Sequence, residues 1–287
     1  MVTRRQLLLG GSLALLPAEP SAARAAGGPW KPVADYLQPT TRLVPATGGA
    51  TLTTGWSGTK VALVQRRLGL TGRAAVYDAA TRSAVLAFQQ RSGLPAAGAV
   101  DERTWTALQT GYAWTIDAWR PSILVSPTAS RTERIETMLR FAGGQTRSPY
   151  TWGGAGPYAL GYDCSGLVLA ALAAAGLDPQ PITVTRHQSP GYVTSDALYA
   201  APMERVPAAQ RERGDLIFWF GSSGSTTHMA IYLGGGAMVE AVGAARMTRI
   251  TAFRGDYTGH RLAPYAVRPF TGWSWRRTAM VRPSIPR

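Results

Sequence analysis

The stretch GYDCSGLVLAALAAAGL, residues 161–177, contains the only cysteine among 287 residues. Gly161 to Asp163 read as a turn. Cys164 then opens a run of Leu, Val and Ala, good helix formers and apolar on every side, that stops at Gly176. This pattern predicts a buried, rigid helix with Cys164 at its N-terminus. Unpaired backbone N–H groups and the helix dipole favour a thiolate at that end, so a depressed Cys164 pKa is expected. The same N–H groups can hold an oxyanion.

A thiol nucleophile needs a base, and the chain has three histidines. His228 begins HMAIYL, where period 2 puts His228, Ala230 and Tyr232 on one face. Gly234-Gly235-Gly236 reads as a hairpin turn before AMVEAV. A three-residue loop pairs Leu233 with Ala237, Ala230 with Glu240 and His228 with Val242. Glu240 is then the diagonal neighbour of His228 on the same face, at a Cα separation of roughly 7–8 Å. An even-length loop would send Glu240 to the other face. The constellation so read is Cys164 as nucleophile, His228 as base and Glu240 as the acceptor that fixes the imidazole tautomer.

Other chemistries find little support. Neither His187, in TVTRHQSP, nor His260, in TGHRLAPYAVRP, has a second ligand at metal spacing, so no metal and no cofactor are expected. GGAGP and GSSGST lack the Lys-Ser/Thr ending of a nucleotide loop. GSSGS at 221–225 fails the serine-hydrolase GxSxG pattern because Ser225 holds its last place.

The N-terminus suggests export. Arg4 and Arg5 precede an apolar run, Leu7 to Leu16, too short to span a bilayer, and Ala23-Arg24-Ala25 follows as a cleavage site. TRRQLLLG resembles a twin-arginine export signal; an ordinary secretory signal with two arginines reads equally well. Once it is cleaved, no stable membrane anchor is expected. A lone thiol in an oxidising space forms no intrachain disulfide and is a liability unless it has a task. The net charge of +14 calls for acidic partners. Its arginines are scattered, without zinc-finger cysteines or a basic recognition helix, which argues against nucleic acid and for anionic wall polymers.

The chain divides into a leader (1–25), a Gly/Pro/Thr/Ala-rich linker (26–54), a helical module (55–112), a second linker (113–129) containing Pro121 and Pro127, a larger domain (130–269) and a basic tail (270–287) carrying WSWRR. In the module, Val61, Val64 and Leu68 share one helix face, and Asp78 and Asp101 can cap two further helices. VALVQRRLGL, YDAATRSAVLAFQQRSGL and GAVDERTWTALQ resemble the three-helix peptidoglycan-binding domain of wall hydrolases over about 55 residues. In the larger domain, Ser130 to Glu133 form a capping box before the stripe Ile135, Met138, Leu139 and Ala142. Residues after the Cys164 helix read as loop to about 212, then as short strands.

SPYTWGGAGP, GYDCSGLV, RGDLIFWF and THMAIYLGGGAMVEA together resemble the NlpC-type cell-wall cysteine endopeptidases over residues 131–269, about half the chain. The resemblance implies an α+β, papain-like catalytic domain, helices packed on an antiparallel sheet, behind the small three-helix domain. It further implies an enzyme that acts on peptide bonds of the peptidoglycan stem, in many members between D-glutamate and the diamino acid; with the export signal, a secreted monomer is expected. By matching position it assigns Cys164 and His228. The third position more often holds His, Asn or Gln, and Glu240 departs from that choice while able to do the same work. Tyr150 matches a tyrosine that can help hold the oxyanion or the substrate. Asp163 and Ser165 can bind a substrate amine or carboxylate or shape the turn, and His187 falls where this family lines its groove. A wall-binding protein with an inactive domain, and an acyltransferase or amidase on the same fold, are the competing expectations.

Overall fold

Three short helices come first: α1 (Thr59–Arg67), α2 (Ala79–Arg91) and α3 (Glu102–Leu108). The structure is a computed structural model that describes residues 51–70, 74–179, 184, 187 and 194–271. The leader, most of the first linker and the WSWRR tail lie outside the described residues. Asp78 and Asp101 cap α2 and α3 by accepting from the backbone N–H groups of Thr81 and Thr104. Val61, Val64, Val85, Trp105 and Leu108 meet in one core with Leu52 and Tyr77.

The stretch expected as a second linker is not a free tether. A 3₁₀ turn, Trp114–Ala118, drives Trp114 and Ile116 into the core of the three-helix module. Leu160, from the larger domain, joins the same cluster, and Trp119 packs against both cores. Lys60 fastens this junction. Its ammonium lies 3.0 Å from the Trp114 ring centroid and 3.5 Å from the Asp117 carboxylate. Burial pulls the Lys60 pKa down to about 8 against the opposing pull of Asp117. Proline spacing alone suggested a linker; the buried tryptophan and isoleucine between the prolines and the module decide otherwise.

The larger domain opens with α4 (Arg131–Gly144), whose capping box is complete: Ser130 accepts from Glu133 N–H and Glu133 accepts from Ser130 N–H. Ser130→Ala should lower stability by about 1 kcal/mol, read from urea unfolding. Helix α5 (Cys164–Ala174) follows, and every one of its residues after Cys164 is buried. Gly176 ends the run in the left-handed region, φ +84°. Buried Arg134 ties α4 to this end of the domain by donating to the carbonyls of Ala175, Pro127 and Ala129.

The region expected as loop contains a short helix, α6 (Thr194–Tyr199), and an edge strand, β1 (Glu204–Pro207). Tyr199 sets α6 edge-on against Phe218 and Phe220. The remaining strands are β2 (Leu216–Phe220), β3 (Thr226–Gly234), β4 (Ala237–Val242), β5 (Met247–Ala252), β6 (Asp256–Tyr257), β7 (His260–Leu262) and β8 (Tyr265–Arg268). They form an antiparallel sheet of order β1-β8-β2-β3-β4-β5, with β7 pairing β2 and β6 pairing β7. Leu167, Leu169 and Leu172 of α5 share one core with Met138 and Leu139 of α4 and Met229, Ile231 and Val239 of the sheet. The fold is α+β, with α5 held between α4 and the sheet.

The β3–β4 turn shows how the site is aimed. Only Gly235 and Gly236 lie between the strands, an even count that alone would turn Glu240 away. Gly234 rather than Leu233 pairs with Ala237, and a bulge at Leu233 restores the parity. Beyond it, Tyr232 pairs with Met238 and Ile231 with Val239, the expected register. His228 and Glu240 therefore share a face.

Candidate active site

Asp163 caps α5 and so sets the position of Cys164. Its carboxylate accepts from the N–H groups of Gly166 and Gly153 at 2.8 and 2.7 Å, from Ser165 Oγ at 3.1 Å, and bonds His187 Nε2 at 2.8 Å. Burial opposes its charge, but His187 and the two amides outweigh this and hold the carboxyl below its ordinary range. Asp163, Ser165 and His187 are all buried, and the latter two bond to Asp163. Of the two readings open for Asp163 and Ser165, substrate contact or shaping of the turn, these bonds favour the second, while His187 Nδ1 is buried without a hydrogen-bond partner among the described residues.

Cys164 is half-buried at the head of α5. The expected depression of its pKa is overturned. Burial pushes the thiol up to about 12, the Asp163 carboxylate adds to this, and the N–H groups of Met229, Ser165 and Cys164 itself only partly offset both. The sequence argument counted the helix end and omitted the acidic cap and the apolar surroundings. The resting sulfur is a thiol.

His228 is buried, and its Nε2 lies 2.7 Å from Glu240 Oε2. Burial alone would raise the Glu240 carboxyl. Hydrogen bonds from His228 and Arg254, with their charges, hold it at about 2. An ionised carboxylate only accepts, so Nε2 carries the proton and Nδ1 keeps the lone pair. Burial lowers the His228 pKa; Glu240 pulls it up and the charges of Arg254 and Arg249 push it down, and the net shift is downward. His228 is thus neutral at pH 7, and its contribution to stability is lost as pH falls through its depressed pKa.

Around this pair stand residues that the sequence reading missed. Arg249 Nε donates to Glu240 Oε1 at 2.9 Å, and Arg254 Nη2 donates to Oε2 at 2.6 Å. Tyr257 stacks on the His228 ring, centroids 4.2 Å apart and planes 16° apart, and buried Trp219 lies 5.4 Å away. The Glu240–Arg249 cross-strand pair was open to the same register argument that placed Glu240. Arg254 lies beyond β5 and Tyr257 in the two-residue β6, too short to show a period, so no periodicity marks them. Tyr150 is half-buried beside the thiol; burial, with the nearby Cys164 and Asp163, keeps its hydroxyl protonated and hence a donor. Among the described residues no group of three His, Cys, Asp or Glu side chains could hold a metal ion.

A thiol at the head of α5 that accepts from the N–H of Met229, next along β3 to an imidazole fixed by a buried carboxylate, supplies the parts of an acyl-transfer site. Residues 147–266 match the NlpC/P60 family model, and residues 57–108 match that of a putative peptidoglycan binding domain. The chain carries an NlpC/P60 domain. Among its relatives is the peptidoglycan endopeptidase RipB of Mycobacterium tuberculosis, 33% identical over 139 residues, or 45% of this chain and 52% of RipB. Another is the murein DD-endopeptidase MepH of Escherichia coli, 33% identical over 39% of this chain and 38% of MepH. The chain thus spans about half the length of RipB and less of MepH. A crystal structure of the P60 domain from an M. avium subspecies paratuberculosis antigen is 32% identical, with a TM-score of 0.36 over 47% of this chain and 94% of that one.

Proposed function

We propose that this protein is an exported peptidoglycan hydrolase that cuts stem peptides by a Cys164–His228–Glu240 thiol mechanism. The observation that carries the reading is the buried His228–Glu240 pair on the strands behind the head of the Cys164 helix. The names of RipB and MepH support the substrate class.

In the first step His228 Nδ1 takes the Cys164 proton as sulfur attacks the peptide carbonyl. Charge gathers on the carbonyl oxygen, where backbone N–H groups of the helix end and the Tyr150 hydroxyl can donate. As the tetrahedral intermediate collapses, His228 returns the proton to the leaving amine. Water, deprotonated by His228, then hydrolyses the thioester and frees Cys164. Glu240 holds the imidazole and balances its charge while it is protonated. No cofactor enters these steps. The scissile bond we propose is that between D-glutamate and the diamino acid.

The test is a digest of diaminopimelate-type peptidoglycan by the mature protein and by Cys164→Ala, read by mass spectrometry. New fragments ending in a free D-glutamate carboxyl, absent from the variant, are expected. Fragments cut at the D-alanyl cross-link would move the bond, and no fragments from either protein would overturn the hydrolase reading.

The three-helix module is proposed to hold the enzyme on its polymer, with the basic charge adding attraction to anionic wall polymers. Its deletion is a poor test, because Leu160 and Trp119 would lose their cover. Pelleting the whole chain with insoluble wall at rising salt is cleaner. The charge-borne part of the binding should fall and a salt-resistant remainder should persist.

A further inference from the structure

Glu240 takes more donors than orienting an imidazole requires. Its Oε2 accepts from His228 and from Arg254, and its Oε1 from Arg249. Glu240 is fully buried, whereas the two arginine side chains are 39% and 26% exposed and reach it from outside. Arg254 shares the oxygen that His228 uses. Its guanidinium also lies 5.0 Å from the centroid of the Tyr257 ring, the ring that stacks on His228, and 5.8 Å from that of Trp219.

A buried carboxylate beside an imidazole favours imidazolium, and an imidazolium cannot take a proton from a thiol. A neutral orienting amide would avoid the difficulty, but this chain has a glutamate. A guanidinium on the same oxygen offsets the carboxylate charge and holds the oxygen in place without changing the geometry. We propose that Arg254, on the reading of Cys164, His228 and Glu240 given above, is a positioning residue that clamps Glu240 and keeps His228 a neutral base at working pH. Arg249 serves the other oxygen and, being more exposed, serves it less strongly.

The ionisable groups around His228 are Glu240 from β4, Arg249 from β5, Arg254 beyond it and Tyr257 from β6, and Tyr257 in turn feels Cys164 at the head of α5. Asp163 lies next to Cys164, and His260 of β7 lies 6.1 Å from the Tyr257 ring and bonds Thr227. Of these, Arg254 alone is a cation bonded to the oxygen that holds Nε2.

The readout is the rate at which iodoacetamide alkylates Cys164 as a function of pH, followed by mass. One cysteine in the chain makes the signal site-specific. In the wild type the rate should step up as His228 loses its proton, below the ordinary histidine value, and His228→Asn should abolish the step. Arg254→Gln should move the step upward by about one pH unit, the low end for a charge at this range because the side chain is partly open to water. Arg254→Lys should restore most of the wild-type position, and Arg249→Gln should move the step less. Urea midpoints of all variants check folding. A step that His228→Asn removes but Arg254→Gln leaves unmoved overturns the Arg254 proposal alone. A step that survives in His228→Asn overturns the proposed Cys–His coupling, and the Arg254 proposal with it.

Discussion

Glu240→Gln should lower the proposed peptidoglycan cleavage by about 10⁴-fold, the scale seen when the orienting acid of such a triad becomes an amide. Shape is not the reason. Glutamine fits the same space, and its amide oxygen can still accept from His228 Nε2. The loss comes from the two arginines. In wild type the Glu240 carboxylate faces His228, Arg249 and Arg254. In the proposed mechanism, once His228 has taken the thiol proton, that single negative charge serves three cations. With glutamine there is none, and imidazolium must form beside two guanidinium groups. The companion result is the sharper test: Glu240→Gln/Arg254→Gln should cleave faster than Glu240→Gln, because it removes one uncompensated cation. Equal or slower cleavage by the double variant would show that charge balance is not the cause.

The same substitution should destabilise the fold, by about 2 kcal/mol after discounting a broken buried pair for the solvent around the arginines. Its pH dependence has a fixed sign. The Glu240 carboxyl is depressed from 4.5 to about 2 in the folded protein. Its stabilising contribution is complete above 4.5 and is lost as pH falls towards 2. Wild type and variant should therefore differ most near neutral pH and converge in acid, in urea unfolding at a series of pH values.

The parts of this site legible in the sequence were those with a short-range signature. Cys164 stood at the head of an apolar helix-forming run, and three glycines marked the hairpin that brings Glu240 to His228. The hairpin argument assumed three loop residues and met two plus a bulge; both give odd parity, and parity is what aims Glu240. The thiol pKa was misread because the capping residue, Asp163, is itself an anion and the surroundings are apolar. Those are properties of packing, and a helix end considered alone omits them. Arg254 reaches the His228–Glu240 pair from the irregular segment after β5 and Tyr257 from a two-residue strand, and neither is long enough to show a period. The junction at Trp114 and Ile116 was hidden for a related reason: a 3₁₀ turn is too short to show a face, so Pro121 and Pro127 after it outweighed its buried side chains.

Gly166→Ala should abolish cleavage and lower stability by about 3 kcal/mol, the upper end for overpacking a tight site. In an ordinary helix interior this change would favour the helix by up to about 1 kcal/mol. Here a Cβ on residue 166 would meet the Gly154 carbonyl oxygen at 2.0 Å and Cα of Ala155 at 3.0 Å. Both are backbone, so no side chain can swing aside. Relief requires the 153–155 segment to leave α5, and that segment carries two bonds that set the helix head. Asp163 N–H donates to Gly154 O at 2.9 Å, and Gly153 N–H donates to Asp163 Oδ2 at 2.7 Å. Gly153 also touches Ser57 and Gly58 of the three-helix module closely enough that a Cβ there would lie 3.0 Å from Ser57 Oγ. Moving the segment therefore disturbs the Asp163 cap, the seat of Cys164 and the seam between the domains together. Gly153→Ala should share the effect on the seam while sparing the contact of Gly166 with Gly154. Measuring iodoacetamide alkylation of Cys164 in both variants separates the two: Gly166→Ala should lose the pH step set by His228, and Gly153→Ala should keep it. A Gly166→Ala protein with normal cleavage would show that the close approach of loop to helix is dispensable.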